Sequence, residues 1–323
     1  MTPPLQHDSA ALPLLRSVKC LAPSSDKEAA AASDVPLLVR TFARKGHAQS
    51  GSLVAVRFGD QTLSEELCRR LAVEDHHKTH STCTVFAVPS GASSYAVRWF
   101  SSAGIEYKCC GHGNMAVGFE VCKLWGAPRS AAVELMSVHS PTARIDICED
   151  GKVETCLDTA GDAAFNAAET EVSPLLCDAL QLEPSHVSFQ GSWSLGIIVL
   201  TSAAAKVREL APDFRKLCQL DARNVVVASF EGLEDDHDFV FRVFCPRLGV
   251  PEDIATGTSM AVVTELFSKR FGCEGEWLRG LQASSSPSEL EAKFCQLRPS
   301  PVIRLRGQCE GVDAPPRHEV ISL

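Results

Sequence analysis

Two stretches of this sequence, GHGNMAVGFEVCKLW at 111–125 and GTSMAVVTELFSKRF at 257–271, constrain its fold more than anything else in it. Each carries apolar residues around most of a helical circumference, so each helix must be enclosed by other structure rather than laid on a surface. Each opens on glycine and is followed by glycine, Gly126 in the first case and Gly272 in the second. A helix buried on all sides needs a sheet wrapped about it. Two such helices ask for two wrapped sheets.

The remaining pattern agrees with this demand. Segments 37–42, 52–58, 82–88 and 95–100 read as strands, and Leu63, Leu67 and Leu71 give helical spacing over 63–73 behind Thr62 and the Glu65-Glu66 pair. Strand-like runs follow the first apolar helix near Ala132, Ala143 and Val153. After a polar, Ala-rich link at 159–170 the order recurs, with a helix at 172–182, strands at 186–189, 196–200, 224–228 and 239–244, and then the second apolar helix. The helix starts GHGNMAV and GTSMAVV share Gly, Met-Ala and Val in similar order. The expected fold class is therefore α+β, with two similar domains, each a mixed sheet or barrel rolled around a central helix. The domains are expected at 35–160 and 165–314, with the C-terminal strand 315–323 a candidate to join the first. Residues 1–34, rich in Pro, Ser and Ala, read as a flexible extension.

Composition narrows the function classes. Lys plus Arg number 31 against 40 Asp plus Glu, a net charge of −9, which argues against a nucleic-acid partner. The longest apolar run, 195–205, is broken by Thr201 and Ser202 and falls short of the ~18 residues of a membrane span. No membrane partner is expected, and the N-terminus lacks the pattern of a signal peptide. The 14 cysteines include no CxxC pair and no Cys/His cluster at zinc spacing, so reduced thiols in a cytoplasmic protein, without a metal site, are expected. His76, His77 and His80 read as a solvated loop rather than as metal ligands.

The chemistry concentrates at the two helix starts. First-turn N–H groups have no partner within the helix and carry partial positive charge. Gly111, Gly113 and Asn114 at one start, and Thr256, Gly257 and Thr258 at the other, could hold a substrate carboxylate and stabilise an enolate-like charge. The same glycines also fit a plainer role, tight entry into a packed helix. Ahead of the second helix stand Glu252 and Asp253, as helix-end complements or as a general base. His112 lies in the first turn of the other helix and suits either a structural or a substrate-polarising role. Cys109-Cys110 directly precedes it, and thiols at helix starts make acid/base or nucleophilic groups.

The segments RWFSSAGIEYKCCGHGNMA (98–116) and FCPRLGVPEDIATGTS (244–259) resemble the two signatures of the phenazine-biosynthesis isomerase (PhzF-like) family, the second most specifically. The CGHG at 110–113 is similar to a segment of diaminopimelate epimerase and proline racemase, which share the superfamily. The resemblance, which runs from about Val35 to the C-terminus, implies a diaminopimelate epimerase-like fold with the active site between two domains. It also implies proton movement on carbon in a small carboxylate-bearing substrate, no metal or organic cofactor, and a homodimer. Asp253 matches the family's second-domain acidic residue, His112 its His after Cys-Gly, and Thr258 a small hydroxyl residue.

One departure changes the chemistry. The family's catalytic Glu precedes a strand Phe, and alignment on Phe86 puts Cys83 at its position. The two-thiol racemase pattern is incomplete as well, with Ile254 where its second Cys would stand. Cys83, His112 and Asp253 are thus the expected catalytic residues of a cofactor-independent isomerase or epimerase, Cys83 moving the proton. Two alternatives stay open: a thiol nucleophile, Cys83 or Cys110, cleaving a carbon–carbon or acyl bond, and a catalytically silent binding protein on the same fold.

Overall fold

The computed structural model describes residues 35–125, 132–158, 167–233, 236–297 and 301–313. In its first half β1 (Leu37–Thr41) and β2 (Ser52–Phe58) run antiparallel, and helix α1 (Glu65–Thr79) crosses to β3 (Cys83–Pro89), parallel to β2. Strand β4 (Ser94–Ser101) is antiparallel to β3, and the short β5 (Glu106–Tyr107) folds back on β4 and leads into α2 (Gly111–Trp125). Strand β6 (Val133–Met136) returns parallel to β4, with β7 (Ala143–Ile147) and β8 (Val153–Asp158) added antiparallel.

The second half repeats these pairings one for one. After β9 (Ala168–Glu169) and α3 (Pro174–Leu180), β10 (Val187–Trp193) and β11 (Gly196–Thr201) form the antiparallel pair. The short helices α4 (Ala204–Arg208) and α5 (Phe214–Leu217) cross to β12 (Asn224–Ser229), parallel to β11 and antiparallel to β13 (Phe239–Cys245). Strand β14 (Val250–Asp253) folds back on β13 and leads into α6 (Gly257–Phe271). Strand β15 (Leu278–Gln282) is parallel to β13, followed by antiparallel β16 (Ser288–Cys295) and β17 (Val302–Gly307).

Strand β8 pairs with β17 and so joins the halves into one sheet of 18 strands among the described residues. Strand β18 (Cys309–Val312) pairs with β1 and packs on α2, as β9 pairs with β10. The strand expected at 315–323, the extension at 1–34 and most of the link at 159–170 lie outside the described residues.

The two apolar helices have the bounds read from the sequence, and each is enclosed. Helix α2 packs on β1, β2, β3, β6, β7, β8 and β18, with Met115, Ala116, Val117 and Val121 fully buried; α6 packs on β12, β16 and β17 and buries Met260 to Val263. Burying one such valine or methionine contributes roughly 1.5–3 kcal/mol, which fixes the helix axes firmly and with them the helix starts.

Helix α1 departs from its expected form. It runs to Thr79, and Ser64, not Thr62, caps it by accepting from the Leu67 N–H at 3.4 Å. It extends beyond Val73 because Asp75, which pattern reading places outside, is buried against Arg57. The histidine triplet is a helix end rather than a loop: His76 and His77 lie in the last turn of α1, and His80 caps it in the left-handed region at φ +60°.

The internal repeat extends to side chains. Arg98 on β4 donates Nε and Nη2 to the two carboxylate oxygens of Glu106 on β5, both at 2.7 Å, and lies 5.2 Å from the Phe100 ring centroid. Arg242 on β13 does the same to Glu252 on β14 at 2.7 and 2.9 Å, and lies 5.0 Å from the Phe244 ring centroid. Glu252 is thereby committed to the scaffold. The Arg98 hydrogen bonds hold the Glu106 carboxyl below its usual range. A depressed carboxyl gives stability that is present above its unfolded pKa and lost as pH falls through the folded one. Glu106→Gln should therefore flatten the loss of stability seen on acidification below about pH 4.5, read from urea midpoints across that range. A wild-type acid limb of the same steepness would contradict it.

Candidate active site

A cleft lies between the halves, lined by residues of both. The start of α2 contributes Cys110, Gly111 and His112 to its wall, and the start of α6 contributes Thr256, Gly257 and Thr258, with Asp253 just ahead of them. Neither helix has an acidic residue in its first turn, so no carboxylate of their own neutralises the amides there.

The Asp253 side is built by hydrogen bonds. Thr256 Oγ1 donates to Asp253 Oδ2 at 2.7 Å, and Gln282 of β15, fully buried, braces the turn. Its Oε1 accepts from the Thr256 N–H at 2.7 Å, and its Nε2 donates to the Asp253 carbonyl at 2.6 Å. Gln282 thus sets where the Asp253 carboxylate points. Gln282→Leu keeps the volume but strands both backbone groups, an expected loss of about 1–3 kcal/mol in urea denaturation; unchanged stability would show that the brace carries nothing.

The opposite wall is a sulfur–imidazole cluster. Cys110 Sγ lies 3.7 Å from Cys83 Sγ on β3 and 3.4 and 3.6 Å from the two ring nitrogens of His112. Cys83 is 1% exposed and lies behind Cys110, which itself lines the cleft. Burial pushes the Cys110 thiol up, the Cys83 sulfur adds to this, and His112 offsets part of it. Burial opposes charge on His112 as well, but the Cys110 sulfur and then the Asp253 carboxylate outweigh it and push the imidazole up to about 9. The cluster titrates as a unit. Cys83 lies 27 residues before Cys110, so linear spacing does not join it to the Cys110–His112 pair, yet the fold brings the ligand atoms of Cys83, Cys110 and His112 within 4.8 Å of one another.

Other expected site residues lie deeper. Asn114 is 3% exposed, inside the first turn of α2. A Cβ on Gly113 would stand 2.7 Å from Trp99 and 2.9 Å from Val85, and one on Gly257 2.7 Å from Leu305, whereas Gly111 faces open space. Close packing accounts for Gly113 and Gly257, and room beside the cleft for Gly111. The repeat also makes Thr256, which precedes Gly257 as Cys110 precedes Gly111, the counterpart of Cys110. The Ile254 carbonyl, two residues earlier, accepts from Ser284 and Ser288. Tyr107, Arg223, Asn224 and Cys245 line the cleft too. Sequence reading passed over all four, because they come from strand ends whose register it does not reveal. Arg223 is exposed there and is the one Lys or Arg among the described cleft residues.

No helix among the described residues is long and apolar enough to cross a membrane. The sequence is 30% identical over 221 residues to an uncharacterized isomerase of Pseudomonas aeruginosa, covering 68% of this chain and 77% of that one. The fold is similar to the crystal structure of a phenazine biosynthesis protein, PhzF family, from Enterococcus faecalis. That match has a TM-score of 0.72 at 22% identity and covers 86% of this chain and 96% of that one. It is more distantly similar to a hydroxyproline epimerase from Agrobacterium vitis solved with trans-4-hydroxy-L-proline (TM-score 0.51, 10% identity, 86% and 90% covered). The phenazine biosynthesis-like protein family (PhzC-PhzF) matches residues 39–310, nearly the whole of the doubled sheet and both helix starts. With that match and an isomerase as relative, the chain belongs to the phenazine biosynthesis-like protein family as an isomerase.

Proposed function

We propose that this isomerase moves a proton on carbon in a small carboxylate-bearing substrate held in the cleft between its halves. In this reading Asp253 and Cys110 are the proton-transferring groups, one on each wall. Cys83 backs the Cys110 thiol, and His112 polarises the substrate or holds the proton that leaves. The first-turn amides at Gly111 and Gly257, with Arg223 at the rim, receive the carboxylate and the enolate-like charge that develops beside it. The observation that carries the reading is the convergence of a braced carboxylate from one half and a thiol–imidazole pair from the other on one cleft.

An acid and a base on opposite walls suit this task. One removes the proton from one face of a carbon next to a carboxyl group while the other returns it elsewhere on the substrate or on the opposite face. The departures from the family pattern bear on strength rather than on geometry. Cys83 stands where the family has a carboxylate, and the thiol that faces the cleft beside it is Cys110, pushed up by burial.

The test is solvent exchange. The protein is incubated in D2O with a panel of small unsaturated, amino and hydroxy acids, and deuterium on carbon is followed by mass spectrometry and NMR. Incorporation into one substrate class, with conversion to an isomer of equal mass in H2O, is the expected result. Binding without incorporation across the panel would overturn it, and a covalent adduct on Cys110 would favour bond cleavage instead.

A further inference from the structure

Proton transfer does not require three metal-binding atoms at one point, yet the cleft wall and the strand behind it bring them together. On a tetrahedral zinc ion, with Zn–S near 2.3 Å and Zn–N near 2.0–2.1 Å, two sulfurs lie about 3.8 Å apart and a sulfur and a nitrogen about 3.6 Å. Cys83 and Cys110 have their sulfurs 3.7 Å apart, and Cys110 Sγ lies 3.4 Å from Nε2 and 3.6 Å from Nδ1 of His112. The two ring nitrogens lie at similar distances from the sulfur, so rotation of the ring brings either one to a shared ion. The elements that carry the three ligands are already packed together. Cys83 is fixed by β3, parallel to β2, and Cys110 and His112 by the start of α2, which packs on both strands.

We propose that Cys83, Cys110 and His112 bind a thiophilic divalent cation, Zn²⁺ by the chemistry of its donors, with the fourth position taken by water or a substrate oxygen from the cleft. Among the described residues no fourth His, Cys, Asp or Glu joins the cluster, which is the three-ligand arrangement of an accessible zinc rather than the closed four-ligand arrangement of a structural one. On binding, both thiol protons, and the second imidazole proton where present, pass to solvent while two S–Zn bonds and one N–Zn bond form. No electrons are transferred. The ion then holds the Cys110 lone pair that proton transfer needs, so zinc inhibits the isomerase. That consequence rests on the proposed function; the binding does not.

The test needs no substrate. Chelator-stripped, full-length protein under a non-thiol reductant is titrated with Co²⁺, and then with Zn²⁺ in competition with a chromophoric chelator. One equivalent of Co²⁺ should give tetrahedral ligand-field bands and thiolate-to-cobalt charge transfer, displaced by Zn²⁺. Cys83→Ser and His112→Ala should each weaken binding by more than the ~10–100-fold that loss of an outer-shell partner costs. Cys218→Ser, at an exposed cysteine elsewhere, should change nothing. Absence of the thiolate spectrum in the wild type would overturn the proposal, as would undiminished affinity in both ligand variants, which would mean adventitious binding at surface thiols. Should Cys83→Ser fold poorly by circular dichroism, His112→Ala at the cleft edge decides alone. Zinc bound without effect on deuterium incorporation would leave the site standing and remove Cys110 from the proton path.

Discussion

Asp253→Asn is expected to slow solvent-deuterium incorporation by about 10²–10⁴-fold, the usual contribution of a positioned acid or base, while the thermal midpoint stays that of the wild type. Asparagine keeps an amide oxygen to accept from Thr256 Oγ1, so the turn braced by Gln282 stays in place. What disappears is the group able to take a proton. The contrast with the opposite wall sharpens the result. Cys110→Ser should cost a comparable factor, since a hydroxyl exchanges its proton far less readily than a thiol. Cys83→Ser should cost less, because that side chain is buried behind its neighbour. The reverse order, with Cys83→Ser inactive and Cys110→Ser active, would reassign the proton to Cys83. An Asp253→Asn enzyme of wild-type rate would remove the cleft from the reaction.

Different physical signals made different parts of this molecule legible. Helices α2 and α6 could be bounded from sequence alone because an all-round apolar surface flanked by glycine has few other solutions, and their starts carry His112 and Asp253 with them. Helix α1 was read short because Asp75 and the histidines look like solvent-facing residues, and a buried ion pair leaves no trace in a one-dimensional pattern. The strands expected after α6 were not located, for another reason. Strand β16 alternates well, Glu289 and Lys293 outward and Leu290, Ala292 and Phe294 inward, but its charged residues mimic a loop to an eye tuned to apolar runs. The site divides along the same line. Asp253 and His112 are local to motifs, whereas the Cys83–Cys110 contact comes from β3 packing beside the α2 start, which no spacing rule encodes. Arg223, Asn224 and Cys245 enter the cleft only through strand register.

Asp75→Ala should destabilise the protein by about 3–5 kcal/mol, the cost of removing one partner from a buried ion pair. Arg57 and Asp75 are 5% and 1% exposed, with Arg57 Nε 2.8 Å and Nη2 2.6 Å from the two carboxylate oxygens, and Thr84 Oγ1 adds a third donor at 3.2 Å. The alanine variant takes the carboxylate away from a buried guanidinium and also opens a gap beneath α1. Asp75→Asn, which fills the gap, should recover only part of the loss, so the difference between the two separates charge from packing. Replacing the pair together, Arg57→Met with Asp75→Leu, should restore most of the stability, because two apolar groups need no partner. The exposed Glu65–Arg69 pair on the same helix is the control, expected to contribute ~1 kcal/mol or less when broken. Urea midpoints of these variants and their double-mutant cycle measure the coupling. A loss at Asp75 no larger than at Glu65 would mean that the apolar face of α1, Leu67, Cys68 and Ala72 against Phe86 and Phe100, holds the helix without the pair. If the loss is large, Thr84, next to Cys83 on β3, ties the security of the thiol wall to an ion pair on the far side of the sheet.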